Sequence, residues 1–116
     1  MDRKDFFIYH DDQEHSLRLR NTGKILTCTK STIYHDTKSI KYKKLFWGNY
    51  YDTRNRLLMI RYNFPPRYYY VRFILGYIRD CIMCRDKIKR DMMKEAYNDA
   101  KKQNMGVNKT YNPEWK

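Results

Sequence analysis

The pattern of apolar and polar residues changes character at Pro65-Pro66. Before the prolines, apolar residues alternate with charged ones in short runs, which is typical of half-buried strands. Asn21-Thr22-Gly23-Lys24 reads as a turn between two such runs, and Gly48 reads as a break after the aromatic anchor Leu45-Phe46-Trp47. The last run is either a strand or the start of a helix. The candidate strands are 16–20, 25–29, 32–35, 39–43 and 57–64.

After the prolines the apolar residues recur at helical spacing. Proline is tolerated in the first turn of a helix, so the spacing predicts one long helix from about Arg67 to Gln103. At 1.5 Å per residue this helix is roughly 55 Å long. Met105-Gly106 is the expected stop. The apolar positions are Val71, Ile74, Leu75, Ile78, Ile82, Ile88, Met92 and Ala96.

The predicted fold class is therefore α+β: a short β-prone N-terminal half, then one long basic amphipathic helix, with extended terminal arms. The four segments are an acidic aromatic arm at 1–15, a basic β-prone segment at 16–64, the helix within 65–105 and an extended tail at 106–116. Val, Ile, Leu and Phe make up only about 20% of the residues, so the independent core is limited. We expect the apolar stripe of the helix to meet another chain, or the β-prone half folded back on it.

Charge is segregated along the chain, whose formal net charge is +12. Residues 1–16 hold five acidic and two basic side chains, and residues 17–79 hold fourteen basic and two acidic ones. A solvated surface normally mixes both signs, so this excess favours a polyanionic partner. Nucleic acid is the preferred interpretation, ahead of a plain basic surface and of an acidic protein or lipid partner.

Several classes of protein are disfavoured by composition. No run approaches the roughly 20 apolar residues of a membrane span. Asp2 and Asp5 argue against a secretory signal, and the acidic N-terminus argues against an ordinary transit peptide. Three cysteines, an odd number, suit a reducing compartment, and four glycines make a glycine-rich phosphate loop improbable.

Cys81-Ile-Met-Cys84 has the spacing of zinc or redox thiolates. A zinc site would need Cys28 and one of the histidines at 10, 15 and 35 to complete it. A disulfide is a second possibility. Because the pair falls inside the predicted helix, between Asp80 and Asp86, we favour small buried side chains. No cofactor and no metal ligand is predicted.

His35-Asp36 and His10-Asp11-Asp12 are the candidates for acid–base or metal chemistry. Adjacent residues on a strand point to opposite faces, which works against a cooperating pair. No nucleophile motif accompanies them. We predict no catalytic residues and no small-molecule substrate, with a small basic ribonuclease as the enzyme that would fit best.

Basic and aromatic residues interleave between positions 41 and 72. Lys and Arg hold phosphates, and Tyr can stack on unpaired bases, although some of these rings will be core. No signature of an RNA-recognition motif or a KH domain is present, which favours backbone contacts over sequence readout. The predicted RNA-binding residues are Lys41, Lys43, Lys44, Tyr50, Tyr51, Arg54, Arg56, Arg61, Arg67, Tyr68 and Arg72.

Residues 37–99 resemble the mitochondrion-specific ribosomal protein of the small subunit that is numbered thirty-three. Thr37-Lys38-Ser39-Ile40-Lys41 leads to Lys44-Leu45-Phe46, as in that family. Tyr50-Tyr51 and Asn63-Phe64-Pro65-Pro66 correspond to its tyrosine- and proline-containing stretch. The run 71–80, ending in Arg79-Asp80, corresponds to its aliphatic segment. The resemblance implies a structural role on rRNA in the small subunit.

Charge, helix and resemblance together predict a structural constituent of a ribonucleoprotein, most specifically a mitochondrial small ribosomal subunit in the matrix. The expected partners are rRNA and neighbouring ribosomal proteins, in a hetero-complex without a membrane span. One alternative is a non-catalytic accessory subunit of a respiratory or membrane complex. Another is a free nucleic-acid-binding or regulatory protein.

Overall fold

The computed structural model describes residue 6 and residues 8–34 and 46–111, which form four α-helices. They are α1 (Asp11–Leu19), α2 (Phe46–Asn63), α3 (Pro66–Tyr77) and α4 (Lys87–Lys102). No strand occurs among these residues. The predicted α+β class, with its β-prone half, is therefore wrong.

The first candidate strand, 16–20, belongs largely to α1. Asp11, Asp12 and Glu14 occupy the first turn of that helix and Arg18 its last, which complements the helix dipole. The charges at both ends of α1 favour the helix over the strand that the five-residue alternation predicts. Residues 25–29 and 32–34 lack strand pairing, whereas 35 and 39–43 lie outside the described residues.

The run 57–64 takes the helical alternative, because it continues α2 to Asn63. Gly48, predicted as a break, lies inside the first turn of the same helix. A Cβ added at Gly48 would lie 2.9 Å from the Tyr9 hydroxyl oxygen, so glycine leaves the space that the Tyr9 ring occupies. The predicted turn at 21–24 does follow α1, where Thr22 and Gly23 donate backbone N–H groups to the Leu19 carbonyl.

The prediction of a single long helix from Arg67 to Gln103 is also wrong. Pro66 begins α3 as expected, but the chain passes through a π-helical turn, Ile78–Ile82, and leaves helical geometry before α4. Asp86 then caps α4, since its carboxylate accepts from the backbone N–H groups of Ile88 and Lys89. A good N-cap residue at this point starts a new helix rather than continuing the old one.

The last helix ends at Lys102, within one residue of the predicted end at Gln103, and Gln103 adopts a left-handed φ of 59°. The following residues fold back instead of extending away. The Asn108 backbone N–H donates to the Tyr51 hydroxyl at 2.9 Å, and the Tyr111 ring lies 4.8 Å from the Tyr50 ring. The predicted extended tail is thus wrong for 106–111, and 112–116 lie outside the described residues.

The core lies between α2 and α4, with α3 and the chain before α1 packed around it. Both central helices bury residues at the same spacing, which puts each set on one face. The two sets are 50, 51, 54, 55, 57 and 58 in α2, and 92, 93, 96, 97 and 100 in α4.

Candidate functional site

The predicted RNA-binding residues divide into three groups in the structure. Lys41, Lys43 and Lys44 lie outside the described residues. Five others point into the protein or into internal contacts. Arg67, Tyr68 and Arg72 are together on α3, beside an open groove.

Tyr50, Tyr51 and Arg54 belong to the buried face of α2, with at most 1% of each residue exposed. The Arg54 guanidinium lies over the Tyr50 and Tyr51 rings, 5.4 and 5.0 Å from their centroids. Its Nε donates to Asn55 Oδ1 at 3.0 Å, and Nη2 has no hydrogen-bond partner. Cation–π contact thus replaces water around this charge, which has no surface to offer a phosphate.

Tyr50 is also anchored through its hydroxyl, which donates to Asp99 Oδ2 at 2.5 Å and accepts from the Asn108 amide. Burial first, and then the hydrogen bond to Asp99, raises the pKa of Tyr50 well above its ordinary value. The ring joins α2 to α4 and to the returning tail. Its stacking on a base would require this core contact to open.

Arg56 and Arg61 are used within the fold. Arg56 Nη2 donates to both carboxylate oxygens of Asp52, at 3.0 and 2.9 Å. Arg61 Nη1 donates to the Lys101 carbonyl at 3.1 Å, at the C-terminal end of α4, where a cation complements the helix dipole. Both guanidinium groups are thus engaged within the fold, although the Arg56 side chain is 39% exposed, and RNA binding by these residues stays a prediction.

An apolar groove of about 850 Å³ separates the end of α2 from α3. Its lining is aliphatic and aromatic, with two guanidinium groups, Arg67 and Arg72, as the charged members. Arg67 lies over the Tyr68 ring at 5.1 Å. The lining residues are Ile60, Phe64, Pro65, Arg67, Tyr68, Val71, Arg72 and Leu75.

The groove continues into an exposed apolar surface, which we call the α3 face. Val71, Ile74 and Leu75 are 57%, 56% and 61% exposed, on a helix whose opposite side packs Tyr69, Phe73 and Gly76 inward. The sequence identified these residues as a helical stripe that meets either another chain or the N-terminal half, and the structure leaves it exposed. The α3 face comprises Val71, Ile74, Leu75, Ile78, Ile82 and Met83, with Arg67 and Arg72 beside it.

His10-Asp11-Asp12 is the other sequence candidate that the structure describes in full. Tyr9 and His10 both have left-handed φ, 65° and 62°, which is strained for non-glycine residues. His10 Nε2 lies 2.9 Å from Asp52 Oδ1, and Nδ1 lies 2.8 Å from Gln13 Oε1. Both ring nitrogens are engaged, so the imidazole latches α1 to α2 while the two following aspartates stay exposed.

Asn55 holds this strained turn in place from α2. Its Nδ2 donates to the carbonyl oxygens of Phe6, Ile8 and Tyr9, at 2.6, 2.6 and 3.1 Å. Asp52 adds its contact with His10 from the preceding turn of the same helix. Burial raises its pKa, but the hydrogen bond from His10 and the Arg56 charge together hold that pKa below its ordinary value. Asn55 and Asp52 thereby hold Phe6, Ile8, Tyr9 and His10 against α2. Sequence reasoning missed this role of Asn55 because a mid-helix asparagine carries no local signal.

Cys81 and Cys84 do not form a metal centre with other described residues. Cys81 is buried, and burial followed by the nearby Asp80 charge raises the pKa of its thiol to about 11. Cys84 donates its thiol proton to the Asp86 carbonyl at 3.6 Å. No group of three His, Cys, Asp or Glu side chains suited to a metal ion occurs among the described positions.

Within the described ranges, no helix combines the length and the apolarity needed to cross a bilayer. Comparisons of the chain with protein-family models, with curated proteins and with solved structures gave no match.

Proposed function

We propose that this chain acts as an attachment subunit of a larger assembly, which it contacts through the α3 face and without catalytic chemistry of its own. The observation that carries the proposal is the continuous exposure of that face. A helix normally buries one apolar side, whereas α3 packs Tyr69 and Phe73 inward and still presents Val71, Ile74 and Leu75 outward. Contiguous apolar surface of this kind marks an interaction site.

The internal use of the basic and aromatic residues of α2 supports this proposal over a role on RNA. Tyr50, Tyr51 and Arg54 build the core, and Arg61 stabilises the end of α4. Among the described members of the predicted RNA-binding set, Arg67 and Tyr68 are exposed, and Arg72 is half-buried between the apolar groove and a smaller pocket beside Asp80. These three border the apolar groove, so they belong to the same surface.

Sedimentation of a native extract on a density gradient tests the attachment role. We expect the wild-type chain to migrate in a large particle that resists RNase. The Ile74→Gln, Leu75→Gln double variant should move to the top of the gradient, because glutamine keeps the helix but removes the apolar contact. A wild-type chain that migrates as a free monomer, or a variant that stays in the particle, would refute the proposal.

A second candidate function is the structural constituent of a ribonucleoprotein, in its specific form a mitochondrial small ribosomal subunit in the matrix. The observation in its favour is the net charge of +12, together with the stacked Arg67–Tyr68 pair on the surface. Its partners would be rRNA and neighbouring ribosomal proteins. Comigration with a small ribosomal subunit that is lost on RNase treatment would select this function over the first.

A further inference from the structure

We propose that the α3 face binds the surface of an anionic lipid bilayer, with its aliphatic side chains at the level of the acyl chains and its arginines at the lipid phosphates. The inference rests on the attachment role proposed above and names the surface that is contacted. It concerns a helix that lies in the plane of the interface, because α3 spans only 12 residues, about 18 Å.

The charge of this part of the chain complements an anionic surface. Residues 64–90 hold seven Lys or Arg and two Asp. Both acids are engaged: Asp80 accepts from Arg79 at 2.6 Å and from Tyr97 at 3.0 Å, and Asp86 caps α4. Along the chain, exposed Arg67 on one side and exposed Arg85, Lys87 and Lys89 on the other flank the apolar residues with positive charge. Arg72 is half-buried, and its charge also acts on Asp80.

The side-chain types on the α3 face are those of a membrane interface. Tyrosine and arginine each combine an apolar body with a polar tip, so they suit the boundary between acyl chains and headgroups. Tyr68 and Tyr70 are 50% and 62% exposed at the start of α3, beside the aliphatic residues. An RNA backbone would use the arginines but leave Ile74, Leu75 and Ile78 in water.

The groove between α2 and α3 offers a place for one lipid. Its walls are almost entirely apolar, and Arg67 and Arg72 are the charged groups on its lining. This arrangement accepts an acyl chain along Phe64 and Leu75 and a phosphate at the guanidinium groups. Arginine is suited to phosphate because its planar fork presents parallel donors.

Cosedimentation of the full chain with vesicles tests the inference. We expect the chain to bind vesicles of phosphatidylcholine mixed with phosphatidylglycerol, and to bind phosphatidylcholine alone weakly. The Ile74→Gln, Leu75→Gln variant should bind the anionic vesicles at least about 10-fold less well. The Arg67→Gln, Arg72→Gln variant should lose about 30-fold, since each basic residue near the surface contributes to attraction.

Matched control variants change the same residue types away from this face. Leu26 and Ile33 are 85% and 87% exposed in the segment between α1 and α2, so Leu26→Gln with Ile33→Gln controls for exposed apolar residues. Lys24→Gln with Lys30→Gln controls for net charge, because both lysines are exposed in that segment. Each control should bind the anionic vesicles within about threefold of wild type, because the residues that it changes lie away from the surface that contacts the lipid.

The outcomes separate the lipid inference from the attachment role. No binding to anionic vesicles, or equal losses in test and control variants, refutes the lipid inference. If the chain nevertheless migrates in a large particle and crosslinks from position 74 to a protein, the face binds a protein instead and the attachment role survives. If the Ile74→Gln, Leu75→Gln variant has an altered unfolding midpoint, the single variant Leu75→Gln takes its place. Binding of Leu75→Gln to anionic vesicles that equals wild-type binding likewise refutes the inference.

Discussion

Replacing Asn55 by alanine should separate the chain before α1 from α2. Asn55 is fully buried, and its amide nitrogen donates to three carbonyl oxygens of the segment 6–9. Its amide oxygen accepts from Arg54 Nε at 3.0 Å. Alanine removes all four contacts while leaving the helix propensity of α2 as good or better.

The loss of stability has two possible routes of similar size. If the segment stays in place, two short hydrogen bonds of 2.6 Å are lost beside buried carbonyls, at about 1–2 kcal/mol each. If the segment opens, its carbonyls regain water but the buried Phe6 ring is exposed, at about 2–3 kcal/mol. Either route gives about 3 kcal/mol, which corresponds to a melting temperature lower by about 10 °C in a chain of this size.

Urea unfolding followed by circular dichroism measures this loss, and hydrogen exchange at residues 8–14 tells whether the segment opens. Asn63→Ala is the matched control, because Asn63 donates only to the Met59 carbonyl, one turn earlier in the same helix. We expect the control to cost less than about 1 kcal/mol. An Asn55→Ala variant that is no less stable than Asn63→Ala would refute the role of Asn55 in holding the segment 6–9 against α2.

Three further predictions follow from the packing around α3 and α4. Gly76→Ala should destabilise the fold by about 2–3 kcal/mol in urea unfolding, because the new Cβ overlaps the Tyr97 hydroxyl; Gly23→Ala, with open space, should not. Burial raises the pKa of Asp80, but hydrogen bonds from its neighbours hold that pKa below the ordinary 3.8. The ionised Asp80 therefore stabilises the fold above about pH 4, and this stabilisation is lost as the pH falls through the folded-state pKa. Asp80→Asn should lower the free energy of unfolding at about pH 7 and change it little at about pH 2. An equal loss at both pH values would contradict this prediction. Cys81, whose thiol pKa is raised to about 11, should react slowest of the three cysteines with a thiol reagent near neutral pH and at an ordinary rate in urea; equal native rates would count against its burial.

The sequence predicted the parts of this fold that local rules determine. Pro66 starts a helix because its fixed φ suits the first turn, and Met92 and Ala96 recur at the spacing of a buried face. The sequence did not predict that α2 begins at Phe46, although α2 contacts α1, α3 and α4 and buries one face. Polar Arg54 and Asn55 occupy its innermost positions, so no apolar periodicity marks it.

The candidate site shows the same division. The stripe Val71, Ile74, Leu75 and Ile78 was visible in the sequence, and so was the expectation that something outside the helix would cover it. The break at Met83–Asp86 was not recognised, and it decides which apolar residues turn inward. Because α4 folds back onto α2 after this break, Met92 and Ala96 enter the core while the α3 residues stay outside.

The charge balance, the helical stripe and the helix start at Pro65-Pro66 can be read from the sequence, because each depends on residue identity or on neighbours within one turn. Which cations are available to a partner depends instead on how the helices pack. Arg54 and Arg67 have the same side chain, yet Arg54 packs on two tyrosine rings in the core and Arg67 lies beside an open groove. Contacts between residues more than 40 positions apart, such as Asn55 with Phe6 and Tyr50 with Asp99, make that difference, and no local pattern records them.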